Sequence, residues 1–287
     1  MTVDFCGIAL EHPIVNASGT WDPIAARLAF GDAAFTEFPF SAHVTKTITV
    51  ETRQGNPPPR LWELPAGLIN SIGLPNKGIG RWLREDLPVL SELPVPLIVN
   101  VMGFTSDELA RLVTEVGEKT PAVAIELNVS CPNVETGLIV GSDPTECSRT
   151  VEAVRGRTEL PLIVKITPNS TDPAAVAVAA VEAGADAISL INTLKGLALM
   201  PGSDEPWLGG GTGGVSGPAV RHIALAQVAS VSQAVSVPII GMGGVSTGLH
   251  AANLIRVGST LVAVGTESFR DPRAGSRVAA ELAAMVT

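Results

Sequence analysis

Charge is scarce in this sequence. Asp, Glu, Lys and Arg make up 16% of its 287 residues and apolar residues 46%, a balance that describes a globular chain with a substantial core rather than a disordered or fibrous one. Basic runs are missing and the formal net charge is -9, so the clustered cations that neutralise nucleic-acid phosphates are absent, and RNA and DNA are excluded as expected partners. Cysteine is also rare. Cys6, Cys131 and Cys147 are too few and too irregularly spaced for a disulfide framework, and no CxxC pair suggests zinc or an iron–sulfur cluster. A cytoplasmic location is expected. Met1 to Glu11 lacks the basic and long apolar regions of a signal peptide, and no apolar run approaches the roughly 20 residues of a membrane helix. His12, His43, His222 and His250 show no i, i+4 spacing, so they read as structural rather than as metal ligands.

What is present is a repeated alternation. Apolar, β-branched runs fall at residues 14 to 17, 43 to 47, 97 to 101, 123 to 128, 162 to 166, 187 to 191, 239 to 242 and 261 to 265. Each is nearly continuous, as parallel strands covered on both faces should be, and no linker divides the series. Eight such βα steps predict a single (β/α)₈ TIM barrel spanning residues 1-287. Helical spacing is seen over Ser106 to Glu118, Asp172 to Ala183, Pro218 to Val235 and Arg273 to Met285. Val3 to Leu10 alternates around Gly7 and predicts a short N-terminal hairpin placed to plug the lower mouth. Two long connections, residues 48 to 96 and 192 to 238, are expected to form long loops over the C-terminal rim that act as a substrate lid.

The stretch Ala124 to Asn133 breaks from an apolar strand into a turn bearing Asn128, Ser130, Cys131 and Asn133. Pro132 pushes the Cys131 backbone toward an extended conformation. Two amides around a merely buried thiol would lack partners in an apolar core, which favours an active-site rim over a structural cysteine.

In a barrel of this kind catalytic groups sit where strands end. That rim holds Asn16 and Ser18, Lys46 and Thr47, Asn100, Asn128 and Cys131, Lys165 and Thr167, Asn192 and Thr193, Gly243 and Gly244, and Gly265 and Thr266. Carboxylates are nearly absent from it. Lys46 and Lys165 are two of only five lysines, and an unpaired ammonium at the end of an apolar strand is costly to bury, so each needs an anion. That anion is either a ligand or Glu126. The glycines after the last two strands suit phosphate, because backbone N–H groups there can approach an anion. Gly209 to Gly214 has no strand leading into it and no acidic ribose partner. It therefore reads as a flexible loop, with glycines lying against a flat ring, and not as a dinucleotide fingerprint.

The ordered motifs Lys46-Thr47-Ile48-Thr49, Gly55 to Arg60, Asn70 to Asn76, Asn128-Val129-Ser130-Cys131-Pro132-Asn133, Ile191-Asn192-Thr193, Gly213 to Pro218 and Gly241-Met242-Gly243-Gly244 resemble those of the class 1 dihydroorotate dehydrogenases over essentially the whole chain. The resemblance implies an FMN barrel that oxidises dihydroorotate to orotate in pyrimidine biosynthesis. It makes Cys131 the general base, taking the C5 proton while hydride leaves C6 for the flavin N5. It places Lys46, Asn70, Asn128, Asn133, Asn192 and Thr193 on the substrate. Ser18, Lys46, Thr47, Asn100, Asn128, Lys165, Ile191, Gly217, Gly243, Gly244, Gly265 and Thr266 fall on the cofactor, with Lys165 facing N1 and the C2 oxygen. The Gly265 to Phe269 and Asn133-Val134 segments are most similar to the B-type catalytic subunit, which implies a separate FAD and iron–sulfur electron-transfer subunit, with a homodimer or heterotetramer as the assembly. The A-type would use fumarate without that partner. The Glu135 to Gly141 loop is about one residue shorter than the usual B-type lid. Two other readings stay open: a related barrel acting on a free pyrimidine, as in dihydropyrimidine dehydrogenase, and a barrel subunit without catalysis.

Overall fold

The apolar runs build a barrel. In the computed structural model, which describes residues 2–130 and 140–285, an N-terminal hairpin, β1 (Val3–Phe5) and β2 (Ile8–Leu10), precedes the first barrel strand, β3 (Ile14–Asn16). Then come α1 (Pro23–Phe30), α2 (Ala33–Thr36), β4 (His43–Val44), β5 (Leu61–Leu64), β6 (Gly67–Asn70), α3 (Ile79–Glu85), α4 (Leu87–Leu90), β7 (Leu97–Val101), α5 (Ser106–Lys119) and β8 (Ala124–Asn128). The second half holds α6 (Pro144–Arg155), β9 (Leu162–Lys165), α7 (Pro173–Glu182), β10 (Ala187–Leu190), β11 (Leu194–Gly196), β12 (Gly213–Ser216), α8 (Arg221–Ala234), β13 (Ile239–Met242), α9 (Gly248–Arg256), β14 (Leu261–Val264) and α10 (Ala274–Ala283). No helix among the described residues is long and apolar enough to cross a membrane.

The eight expected strands pair in parallel in the order β3-β14-β13-β10-β9-β8-β7-β4. Between β3 and β4 the barrel is fastened by a side chain: Asn16 Nδ2 donates to Val44 O at 2.7 Å, and its Oδ1 accepts from Val44 N at 2.9 Å. This fully buried amide substitutes for ladder bonds and satisfies strand-edge groups that would otherwise be orphaned. The outward faces pack on the helices. Ile125 and Leu127, for example, join the large cluster that holds Val113, Val116, Val151 and Val154. The inward faces near the strand starts, among them Val15, Val44, Ile98, Ala124, Ile163, Ala187, Ile240 and Leu261, close on Phe5 and Leu10 of the hairpin. The hairpin thus caps the barrel floor with apolar surface.

Helix starts follow local chemistry. Asp22, Asp143 and Asp172 cap α1, α6 and α7 through their carboxylates, each followed by proline at the first helical position, where proline's fixed φ and missing N–H cost nothing. The helix expected over Pro218 to Val235 divides into a 3₁₀ turn, Pro218–Val220, and α8.

The two long connections are not simple loops. They meet in a second, antiparallel sheet of order β11-β12-β6-β5, in which Gly214 lies opposite Asn70 and Ser216 opposite Leu68. Trp62 and Trp207 pack beneath it with ring centroids 4.3 Å apart, beside Ile69, Ala198 and Leu208. The glycine run expected to be a flexible loop against a flat ring is accounted for otherwise. Gly213 and Gly214 belong to β12, and a Cβ at Gly209 or Gly210 would strike Pro57 O or Ser71 Oγ at 2.3 Å, so these glycines permit close packing against the Asn56 to Ser71 segment.

Candidate active site

Above the C-terminal ends of the strands lies a cavity of about 450 Å³, within the range of small-molecule sites. The barrel contributes Ser18, Lys46, Thr47, Asn128, Ser130, Lys165, Ile191, Asn192 and Thr193, and the second sheet contributes Leu61, Leu68, Asn70 and Ser216. Strand pleating explains the last group: Leu68 and Asn70 are two residues apart on β6 and share a face.

The amides are already organised. Asn192 Nδ2 donates to Ser130 Oγ at 2.7 Å and Asn192 Oδ1 accepts from Thr193 N at 2.9 Å. Asn128 Nδ2 donates to Thr47 Oγ1 at 3.3 Å, and Asn70 Nδ2 donates to Gly214 O at 3.2 Å. Three strand ends and the second sheet are thereby drawn to one place. Each amide still carries unused hydrogen-bonding capacity toward the cavity.

Among the described lining residues the charged ones are Lys46 and Lys165, and neither Asp nor Glu lines the wall. Lys46 stands in the solvent of the cavity, yet enough protein surrounds it that desolvation lowers its pKa, with Asp22 acting the other way. Lys165 is buried, and its Nζ lies 4.0 Å from Glu126 Oε2. Lys165 therefore has the Glu126 carboxylate on one side and the cavity on the other. Glu126 also accepts from Ser189 Oγ at 2.8 Å and from Asn100 Nδ2.

The opposite wall is bare backbone. Gly243 and Gly244 have φ of 138° and 68°, and a Cβ on either would meet Ala224 Cβ at 2.6 Å or Gly217 O at 2.8 Å, so only glycine fits here. Among the described residues, the N–H groups of Gly243, Gly244, Gly265 and Thr266 donate to no backbone carbonyl in a turn or loop. Thr266 Oγ1 donates to Ser216 Oγ at 2.8 Å. Free N–H groups, hydroxyls and a 3₁₀ turn starting at Thr266 form an anion cradle. Ala17, Ile191, Val220 and Met242 supply flat apolar wall beside it. A planar ring system bearing a phosphate fits this donor set.

Of the expected site residues, Ser18, Lys46, Thr47, Asn70, Asn128, Lys165, Ile191, Asn192, Thr193, Gly217, Gly243, Gly244, Gly265 and Thr266 line the cavity. Asn100 does not: it is fully buried one layer below, with its amide turned onto Glu126. Its Oδ1 has no hydrogen-bond partner among the described residues. Cys131, Asn133 and residues Glu135 to Ile139 of the loop expected to be a shortened lid lie outside the described residues. The two ends of that loop are tied together, since Gly141 N donates to Val129 O at 2.6 Å. The other cysteines are poor bases. Burial first, and nearby carboxylates second, push the Cys6 thiol up to about 11 and the Cys147 thiol up to about 12. Sequence reasoning passed over Ser130, Ser216 and Glu126 as site residues. Ser130 was visible beside Cys131 and Glu126 was named as a candidate partner of the lysines, whereas Ser216 becomes meaningful only through its long-range partner Thr266.

Comparison with known proteins agrees with this geometry. The family model for dihydroorotate dehydrogenase matches residues 1–286. The chain belongs to the dihydroorotate dehydrogenase family. Proteins described as dihydroorotate dehydrogenase B (NAD(+)), catalytic subunit, are similar at 43% identity in Desulforudis audaxviator, covering 99% of this chain and 92% of the relative. The corresponding figures are 44%, 97% and 91% in Pelobacter propionicus, and 42%, 98% and 92% in Geobacter sulfurreducens. A crystal structure of the Eimeria tenella dihydroorotate dehydrogenase in complex with ferulenol shares the fold, with a TM-score of 0.79 at 24% identity, covering 99% of this chain and 84% of that one. The chain is therefore an FMN-dependent oxidoreductase of the class 1 type.

Proposed function

We propose that the chain oxidises dihydroorotate to orotate in this cavity, as the FMN-bearing catalytic subunit of an NAD-linked enzyme. The observation that carries this reading is a cavity whose charged lining side chains, among the described residues, are two lysines, with amides on one side and glycine backbone on the other. An anionic pyrimidine offers both donors and acceptors, and amides answer both kinds without repelling its carboxylate. FMN, when bound, supplies the hydride acceptor.

The chain's own residues do the rest. Asn70, Asn128, Asn192, Thr193 and Asn133 hold the ring edge and carboxylate, and Lys46 adds positive charge near both ligands. Cys131 Sγ takes the C5 proton as hydride departs from C6. A thiolate is competent near neutral pH where cations or donors stabilise it. Lys165, on the cavity lining, would hold its positive charge beside the cofactor and would favour the negative charge that collects there on reduction. Gly243, Gly244, Gly265 and Thr266 hold the phosphate, and Ser18, Thr47, Ile191 and Gly217 complete the cofactor side, while Asn100 lies below it on Glu126. The words "NAD(+)" and "catalytic subunit" in the relatives' names support a separate subunit that passes electrons to NAD; the motif resemblance adds FAD and an iron–sulfur centre on that partner, with a cytoplasmic homodimer or heterotetramer as the assembly.

The test is an anaerobic visible spectrum of the FMN-loaded chain before and after dihydroorotate, with dihydrouracil as control. Bleaching with dihydroorotate alone is the expected outcome, and bleaching with the control alone would transfer the site to a free pyrimidine. In the same assay Cys131→Ser retains flavin and substrate but reduces flavin roughly 10² to 10⁴ times more slowly at neutral pH. Unchanged kinetics in that variant would remove Cys131 as the base.

A further inference from the structure

Glu126 is a buried carboxylate beside Lys165 of the cavity lining, and the chemistry of the reaction assigns it nothing. It sits on the inward face of β8, two residues before Asn128, with its side chain 2% exposed, next to a Lys165 side chain that is 7% exposed. Its position is over-determined. Oε1 accepts from Ser189 on β10, Oε2 accepts from Asn100 on β7, and Lys165 on β9 stands 4.0 Å from Oε2. Four consecutive strands thus meet on one carboxylate. Stability alone does not account for it, because apolar side chains of similar volume usually pack as well as a buried ion pair.

We propose that Glu126 is a positioning residue that tunes the flavin: it steadies Lys165 beneath the cofactor and partly cancels its charge, holding the reduction potential below the value Lys165 alone would impose. This rests on the reading that Lys165 faces the flavin. The sign follows from Coulomb's law. Reduction builds negative charge on the cofactor, Lys165 favours that charge, and a carboxylate one side chain further away opposes it. Around such buried groups neither solvent nor salt screens the interaction strongly. The Ser189 and Asn100 donors fix the carboxylate so that it does not swing away from the ammonium. A subunit that must hand electrons onward, rather than retain them, is served by a cofactor that is not held too firmly in its reduced form.

The experiment is an anaerobic dye-equilibrium titration of the midpoint potential of the FMN-loaded chain. Glu126→Gln keeps the shape and a hydrogen-bonding carbonyl but removes the charge, and its potential should move to more positive values. Lys165→Met should move it to more negative values. Adding Glu126→Gln to Lys165→Met should then bring the potential back upward, and this pair decides the question even where Glu126→Gln alone fails to retain FMN. A shifted Lys165→Met with no upward displacement on removing Glu126 in either background overturns the role of Glu126. An unmoved Lys165→Met overturns the placement of Lys165 itself, and the proposal falls with it.

Discussion

The inside of the barrel differs sharply between two levels only one pleat apart. At the lower level Val15, Val44, Ile98, Ala124, Ile163, Ala187, Ile240 and Leu261 point inward with Phe5 and Leu10, all apolar. Two residues further along the same eight runs stand Ala17, Lys46, Asn100, Glu126, Lys165, Ser189, Met242 and Ala263. Side chains alternate with period two in a strand, so both sets share the inward face and differ only in height. The upper level is itself divided. The β4 to β10 side is polar and lies under Asn128 and Asn192, while Ala17, Met242 and Ala263 stay apolar beside the glycine cradle. Burial alone governs the floor, and the ligand's chemistry governs the level above. Substitutions should separate the two: floor residues should cost stability and leave the cavity intact, and rim residues should do the reverse.

The largest effect is expected at the floor. Phe5 is fully buried, and Phe5→Ala should lower the unfolding free energy by about 3–5 kcal/mol, from lost burial and the cavity left behind. Urea unfolding measures this, and flavin stoichiometry in the remaining folded protein should not change. Loss of flavin without loss of stability would break the distinction between the levels.

A second effect arises beside the Asn16 fastening. His43 is 2% exposed and its Nδ1 has no hydrogen-bond partner among the described residues, with Phe38 edge-on at 5.8 Å. Burial lowers its pKa from 6.5 to about 3. Between those values the unfolded chain binds a proton that the folded chain refuses, so His43 contributes its full stability above about pH 6.5 and loses it as pH falls toward 3. At pH 4.5 the loss is about 2–3 kcal/mol. Urea midpoints of the wild type and His43→Leu across this window test it: the variant should show a shallower decline. His12 and His250 are lowered in the same direction, so the contrast between the two proteins, rather than the slope of either, isolates His43.

How much of this was legible beforehand depends on the range of the forces involved. Leu97 to Val101 announces its strand because both faces are buried and every residue is covered. α5 announces itself through its apolar stripe and a start read at Ser106, although the residue that caps it is Thr105. α1 and α6 were passed over although each begins with Asp-Pro, because α1 is only eight residues long and α6 is interrupted by Glu146, Arg149, Glu152 and Arg155. The second sheet was out of reach. β12 is half glycine, poor strand material locally, and it becomes a strand by pairing with a segment 144 residues away. Cys131 and Lys165 stood out by residue type, and Glu126 as a candidate counter-ion for a lysine, whereas its bond from Ser189, 63 residues on, shows only in the fold.

The smallest effect gives the sharpest test of the upper level. Asn192 is partly exposed and links β10 to the end of β8 through Ser130 and, at 3.4 Å, through Asn128 Oδ1. If these bonds existed for stability, Asn192→Ala would leave Ser130 and Asn128 under-satisfied and weaken the fold. Water reaches this rim, however, and can replace the lost amide in the free protein, so the stability change should stay within about 1 kcal/mol. A bound anionic ring excludes that water, and the missing donor is then felt in full. Orotate affinity, read from the perturbed flavin spectrum, should fall about 10-fold, equivalent to about 1.4 kcal/mol. A variant that loses more in the urea midpoint than in orotate affinity would mean that the rim amides fasten strands as Asn16 does, and that the line between floor and rim lies higher than the inward-facing residues suggest.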